Sequence, residues 1–239
     1  KYSHYNFTGR NDFLRIWLIT GYTREVELAY DHPDAGKELK HGFGGGFLYA
    51  GLQELNVGTA LNKQVFVNRD SLSYAGKFMR EQMTFSLRYY YRPGLLTRHF
   101  LKLSFNNVRI DSAVLNYNPN YFLNNRRNAF YPEFSYLIRY NNIDYVPYPT
   151  RGLFMEGGLL KRGITADMNM WQLNVKTSEA FSFAPRMYFV SENLGLIRVP
   201  FKQPFYNEQV LGYNDFYMRG LERYVVDGLA CVVARNSVL

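Results

Sequence analysis

One cysteine, Cys231, stands among the 239 residues. A single thiol excludes an internal disulfide framework. No run approaches the ~18 apolar residues that a membrane helix requires. The most apolar stretch, residues 13–22, is short and is broken by Arg15. No segment keeps a helical spacing, and Pro and Gly are spread along the chain. The net charge of +8 suits nucleic acid or an acidic membrane surface. However, the basic residues are scattered singly, which argues against a nucleic-acid stripe and a nucleic-acid partner. The four histidines, His4, His32, His41 and His99, have no metal-ligand spacing. No serine lies in a nucleophile-elbow context. Asp31-His32 beside Pro33-Asp34 is ordinary turn chemistry. Gly42-Phe43-Gly44-Gly45-Gly46 lacks the following helix and the Lys-Ser/Thr of a phosphate loop, and marks a bend or a close approach instead. No catalytic, metal or cofactor residue is assigned, so the chain is expected to be non-enzymatic and to need no cofactor.

What the sequence has is aromatic weight and a period of two. Aromatic residues make up 18%, with 21 Tyr and 19 Phe, although the mean hydropathy is only −0.30. In residues 83–92, Met83, Phe85, Leu87, Tyr89 and Tyr91 share one face, and Thr84, Ser86, Arg88, Tyr90 and Arg92 the other. That is strand alternation. Leu101, Leu103 and Phe105 alternate with Lys102, Ser104 and Asn106; Phe134, Tyr136, Ile138 and Tyr140 with Ser135, Arg139 and Asn141. Val26, Leu28 and Tyr30 oppose Glu25, Glu27 and Asp31, and Trp171, Leu173 and Val175 oppose Gln172, Asn174 and Lys176. About ten such segments, near 13–22, 24–31, 41–51, 81–92, 98–110, 133–145, 152–162, 168–182, 186–199 and 226–239, approach the ~9–11 residues of a membrane-spanning strand.

The connections alternate too. Residues 32–36, 92–94, 147–152 and 184–186 are short and hold prolines, which preset turn dihedrals. Between them lie the longer or more polar stretches 52–80, 111–132 and 200–225, with 22–24 and 163–167 as short members of that set. In a meander, alternate connections fall at one end, so one end is trimmed and the other elaborated. Outer-membrane barrels have that asymmetry. A soluble sandwich or lipocalin-like barrel is the alternative. The bulky charged polar face, the Tyr- and Phe-rich apolar face and the one-sided loops favour the membrane. On that reading Phe85, Leu87, Leu101, Leu103, Tyr136 and Ile138 face lipid, and Ser86, Arg88, Lys102 and Arg139 the lumen. The chain begins at Lys1 and ends within a strand pattern, so it is expected to be a cut or processed piece with strands on both sides.

One stretch near the end holds the sharpest local signal: Met218-Arg219-Gly220-Leu221-Glu222, set in the long loop of residues 200–225. Arginine is a permanently charged, five-donor fork, and glycine lets the chain turn where a side chain would clash. A solvated Arg-Gly is the commoner meaning of the dipeptide alone. Tyr213, Phe216, Tyr217 and Met218, however, are too apolar for a freely waving loop. Arg219 is therefore expected to fold inward onto carboxylates such as Glu156 or Glu192. Arg126-Arg127 reads as a solvated loop pair.

Met218-Arg219-Gly220-Leu221 resembles the Val-Arg-Gly-Phe/Tyr signature of the BamA/TamA superfamily of outer-membrane assembly and translocation barrels. Leu221 stands where an aromatic is usual. Pro204-Phe205-Tyr206-Asn207 and Leu211-Gly212-Tyr213 resemble the approach to that loop, and residues 224–228 its return to the wall. Asp144 with Pro149-Thr150-Arg151-Gly152 is similar to the family's mid-barrel turn. Residues 6–11 resemble its Asn-x-Leu-Gly-x-Gly motif, with Asn11 where glycine is common. The resemblance implies an all-β transmembrane barrel of sixteen strands preceded by POTRA domains. This chain would be a single barrel fragment, 1–239, covering the third to twelfth strands. It also implies residence in the bacterial outer membrane and insertion or export of other β-barrel or surface proteins. The implied partners are the bilayer with its lipopolysaccharide, unfolded outer-membrane proteins and accessory lipoproteins. A passive channel and the barrel of a fused lipid hydrolase are the alternatives.

Overall fold

The computed structural model describes residues 1–71, 78–165, 167–213 and 224–238. The motif 218–222 lies outside them. The chain opens with β1 (Tyr2–Tyr5), β2 (Phe13–Ile19), β3 (Thr23–Ala35) and β4 (His41–Leu52). A small hairpin follows, β5 (Glu54–Ala60) and β6 (Lys63–Asn68), and then the long strands β7 (Arg80–Tyr91) and β8 (Thr97–Ile110). After a short helix, α1 (Ser112–Tyr117), come β9 (Asn128–Asn141), β10 (Gly152–Thr165), β11 (Met168–Ala184) and β12 (Met187–Val199). Two brief strands, β13 (Gln209–Leu211) and β14 (Val226–Asp227), precede β15 (Ala230–Val238).

An antiparallel meander of eleven strands results, in the order β1-β2-β3-β4-β7-β8-β9-β10-β11-β12-β15, with β1 and β15 at its edges. β5–β6 and β13–β14 are separate two-stranded units inserted in the loops. The strands are long because each alternates without a break, and their ladders are nearly continuous. β7 pairs with β8 from Arg80↔Ile110 to Tyr91↔His99. The connections β1–β2, β3–β4, β7–β8, β9–β10 and β11–β12 fall at one end of the sheet, and β2–β3, β4–β7, β8–β9, β10–β11 and β12–β15 at the other. The expected trimmed and elaborated ends are therefore present.

Three boundaries differ from the sequence reading. β3 runs through Pro33 to Ala35, with a bulge between His32 and Ala35 that absorbs the proline's missing donor. The turn is thus at 36–40, not 32–36. β9 begins at Asn128, five residues before the expected start, and ends at Asn141. Its pairing with β10 stops at Glu133, so Pro132 faces a bonded neighbour on the β8 side, opposite Phe105. Finally, the stretch 52–80 is not merely a polar connection, because it holds the β5–β6 hairpin.

The two faces separate as alternation requires. Phe85, Leu87, Leu103 and Ile138 are exposed on the outer face. On the inner face Ser86 and Ser104 are buried, and Arg88 Nε lies 3.0 Å from Asp31 Oδ1. Tyr90 donates to the same carboxylate at 2.6 Å. Gly44 makes room for that carboxylate: a Cβ there would sit 2.1 Å from Asp31 Oδ1, which is the close approach expected of the glycine run.

Candidate functional site

Toward the elaborated end, the inner face changes character. Lys102, Ser104 and Asn106 give way in the same register to Val108 and Ile110, both buried. Tyr131 of β9 and Met168 and Met170 of β11 are likewise buried. An apolar patch on an otherwise polar face must be covered, and the long loops cover it. One cluster joins Val108, Ile110, Tyr131 and Met168 of the wall to Leu55, Val57 and Val67 of the small hairpin, Tyr121 and Phe122 of the 111–127 loop, and Phe205.

Backbone bonds stitch these loops together. Phe205 N–H donates to Asn120 O at 3.0 Å, Tyr206 N–H to Tyr121 O at 3.2 Å, and Val225 N–H to Asn62 O at 2.8 Å. Asn118 Nδ2 donates to Val57 O at 2.7 Å. Asp111 caps α1 by accepting from Ala113 N–H at 2.9 Å. The Thr59 hydroxyl meets the Tyr213 hydroxyl at 2.9 Å, and the Tyr213 hydroxyl also donates to Asp227. Burial and this carboxylate raise the Tyr213 pKa, so the phenol stays a donor. Arg126 pairs with Asp167 at 2.9 Å, so one member of the arginine pair read as solvated ties two loops.

Asn207 is the centre of the arrangement and is 2% exposed. Its Oδ1 accepts from Arg162 Nη1 at 2.8 Å. Its carbonyl accepts from Arg198 Nη1 at 2.6 Å, and the same nitrogen reaches Gln209 O at 2.9 Å. Its Nδ2 donates to Gln203 Oε1 at 2.9 Å. The two arginines come from the wall, Arg162 from β10 and Arg198 from β12. Arg162 Nε is paired with Glu133 Oε2 at 2.6 Å, and its guanidinium lies 5.7 Å from the Tyr131 ring and 5.5 Å from the Tyr206 ring. Arg198 Nε donates to Gln172 Oε1 at 2.7 Å. The Tyr131 and Tyr206 hydroxyls are 2.9 Å apart. Two wall forks therefore grip the descending limb of the 200–229 loop, through charge-assisted bonds in a site sheltered from water.

The sequence reading placed the grip elsewhere, in a loop arginine held by wall carboxylates. Met218, Arg219, Gly220, Leu221 and Glu222 fall outside the described residues. Glu156 and Glu192, suggested as acceptors, are each engaged by a wall neighbour: Arg139 Nη2 at 2.7 Å from Glu156, and Arg235 Nε at 2.6 Å from Glu192. Arg162 and Arg198 were missed as anchors. In sequence they are single arginines on alternating strands, and only the convergence of β10 and β12 on residue 207 distinguishes them.

The turn motif is at the trimmed end and is built as a clamp. Asp144 accepts from Thr150 N–H at 3.1 Å, from Arg151 N–H at 3.2 Å and from the Thr150 hydroxyl. Those donors, the Thr150 hydroxyl first, hold its carboxyl below the ordinary 3.8, at about 2. Gly152 has φ +123°, and a Cβ there would lie 2.0 Å from Asn142 O. Pro149 stiffens the run before the clamp. The arrangement shapes a turn and brings no reactive group to a cleft.

No family model matches the chain, and no curated protein matches it. Among solved structures it is similar to the crystal structure of BamA from Haemophilus ducreyi lacking POTRA domains 1-3. The two are 14% identical with a TM-score of 0.66, over 97% of this chain and 48% of that one. The chain thus spans about half the length of that protein. At this identity the likeness shows the fold: an all-β, BamA-like section of barrel wall.

Proposed function

We propose that this chain is wall and plug of an outer-membrane barrel of the BamA/TamA superfamily, preceded by POTRA domains, that inserts or exports other β-barrel or surface proteins. The observation that carries this reading is the segment 203–209 after β12, seated on the inner face and gripped by Arg162 and Arg198. A passive channel is served by a clear inner face. Here three long loops cover that face at one end. A barrel that opens at a weakly paired seam can offer a strand edge to a substrate by β-augmentation. It then needs the rest of its wall held in shape, which a loop bonded to β10 and β12 provides. The exposed apolar outer face supports residence in a bilayer, with lipopolysaccharide, unfolded outer-membrane proteins and accessory lipoproteins as partners.

The test is a folding assay with the full-length parent in lipid vesicles, following an unfolded β-barrel substrate. The parent should speed substrate insertion over empty vesicles. Arg219→Ala should slow it while far-UV circular dichroism of the barrel stays unchanged, and Arg219→Lys should rescue poorly because it loses the bidentate fork. A parent that leaves insertion at the empty-vesicle rate and conducts ions steadily would instead be a channel.

A further inference from the structure

Three of the four histidines lie on one band of the outer face, at the trimmed end of the sheet. His41 of β4 is opposite Tyr91 of β7, and Tyr91 is opposite His99 of β8. The rings form a continuous row across four strands. His41 and Tyr91 stack with centroids 5.2 Å apart, Tyr91 and His99 follow at 5.5 Å, and His99 stacks on Tyr136 of β9 at 6.0 Å. His32 of β3 meets Phe43 edge-on at 5.6 Å, in the next row inward. Toward mid-sheet the same face becomes purely apolar, with Leu87, Leu103, Phe47 and Phe85. Beyond the band lie the trimmed turns, where Arg10, Lys37, Lys40, Arg92, Arg151 and Arg186 outnumber Asp12, Glu38 and Asp144.

Hydrophobic anchoring alone does not require imidazoles at this depth, since Tyr and Trp fill an interfacial belt. What sets the two stacked histidines apart is that each is fixed by a phenol. His41 Nδ1 is 2.7 Å from the Tyr89 hydroxyl, and His99 Nδ1 is 2.8 Å from the Tyr136 hydroxyl. With the phenol donating to Nδ1, a neutral ring carries its proton on Nε2. Both Nε2–H donors are then oriented by stacking and by the phenol, and neither has an acceptor within the described residues.

We infer that this band is a headgroup site: the His41 and His99 imidazoles, on either side of Tyr91, each donate to a glycerophospholipid phosphate in the leaflet on the trimmed side. The acyl chains of those lipids lie along the apolar outer face, and the basic excess of the trimmed turns complements the phosphate charge. The inference rests on the membrane reading above and adds a ligand class and two ligating residues to it.

The full-length parent is folded into vesicles of phosphatidylethanolamine and phosphatidylglycerol, extracted gently, and examined by native mass spectrometry for retained lipid. The double variant His41→Phe/His99→Phe keeps the aromatic row and loses both donors. It should fold, as judged by heat-modifiable migration, and lose retained phospholipid roughly tenfold. Tyr89→Phe/Tyr136→Phe frees both rings and should give a smaller loss. Equal retention by the parent and the histidine variant would overturn the site and leave an ordinary aromatic girdle. A parent that folds and retains no phospholipid would overturn it as well. A parent that fails to enter vesicles would overturn the membrane reading, and the site with it.

Discussion

Asn207 satisfies two wall arginines and a glutamine with one side chain and one carbonyl. Its replacement by Ala leaves Arg162 Nη1 and Gln203 Oε1 without partners in a buried place, at about 1–3 kcal/mol. Arg162→Met leaves the half-buried Glu133 unpaired, a larger loss of up to about 3 kcal/mol. Both should appear as faster proteolysis within 200–229, with strand content intact by circular dichroism. Two carboxyls at opposite ends of the sheet should titrate with opposite sign. Asp144 is depressed, so its contribution is full above 3.8 and is lost as pH falls toward about 2. Asp144→Asn should abolish the rise in pepsin cleavage at 142–151 over that window. Burial, and then Asp227, raise the Glu208 pKa above 4.5. Its contribution is therefore present below that value and is lost as pH rises through the raised one. Glu208→Gln should protect the loop from protease at neutral pH and change nothing in acid.

Among the elements, the strands and their ends were legible because a wall exposed on one face and polar on the other must alternate at every residue. Met83 to Arg92 could be read directly, and β7 occupies nearly the same residues. The difficult places were those where alternation and turn chemistry disagree. Pro33 signalled a turn but sits in a bulge, and Tyr131-Pro132 hid the first residues of β9. The loops were legible only as loops. Their packing depends on contacts between residues far apart in sequence, such as Asn118 with Val57, and no local pattern encodes these. One signal could have revealed the covered patch: Val108 and Ile110 continue the polar register of Ser104 and Asn106 but are apolar. Facing makes its own prediction. Leu103→Arg puts a charge on the outer face and should cost ~2–4 kcal/mol near the midplane. Lys102→Gln, one residue away on the inner face, should stay within about 0.5 kcal/mol. Urea titration in lipid vesicles compares the two, and a costlier Lys102→Gln would mean that the faces are exchanged.

For the whole molecule the account makes one connected claim: the sheet crosses a bilayer with its elaborated end outside, and the segment 203–209 is seated on the inner face. Labelling of single cysteines on intact cells with an impermeant maleimide, in a parent carrying Cys231→Ala, tests all of it at once. Leu61, at the tip of the β5–β6 hairpin, is 92% exposed, and Leu95, in a trimmed turn, is 82% exposed. In a soluble protein both would react alike. The account predicts that Leu61→Cys labels at once and that Leu95→Cys labels only after the outer membrane is permeabilised. It predicts that Asn207→Cys, 2% exposed in the parent, labels far more slowly than Leu61→Cys. Prompt labelling of Leu95→Cys in intact cells would contradict the membrane crossing, and labelling of Asn207→Cys as fast as Leu61→Cys would contradict the seated loop.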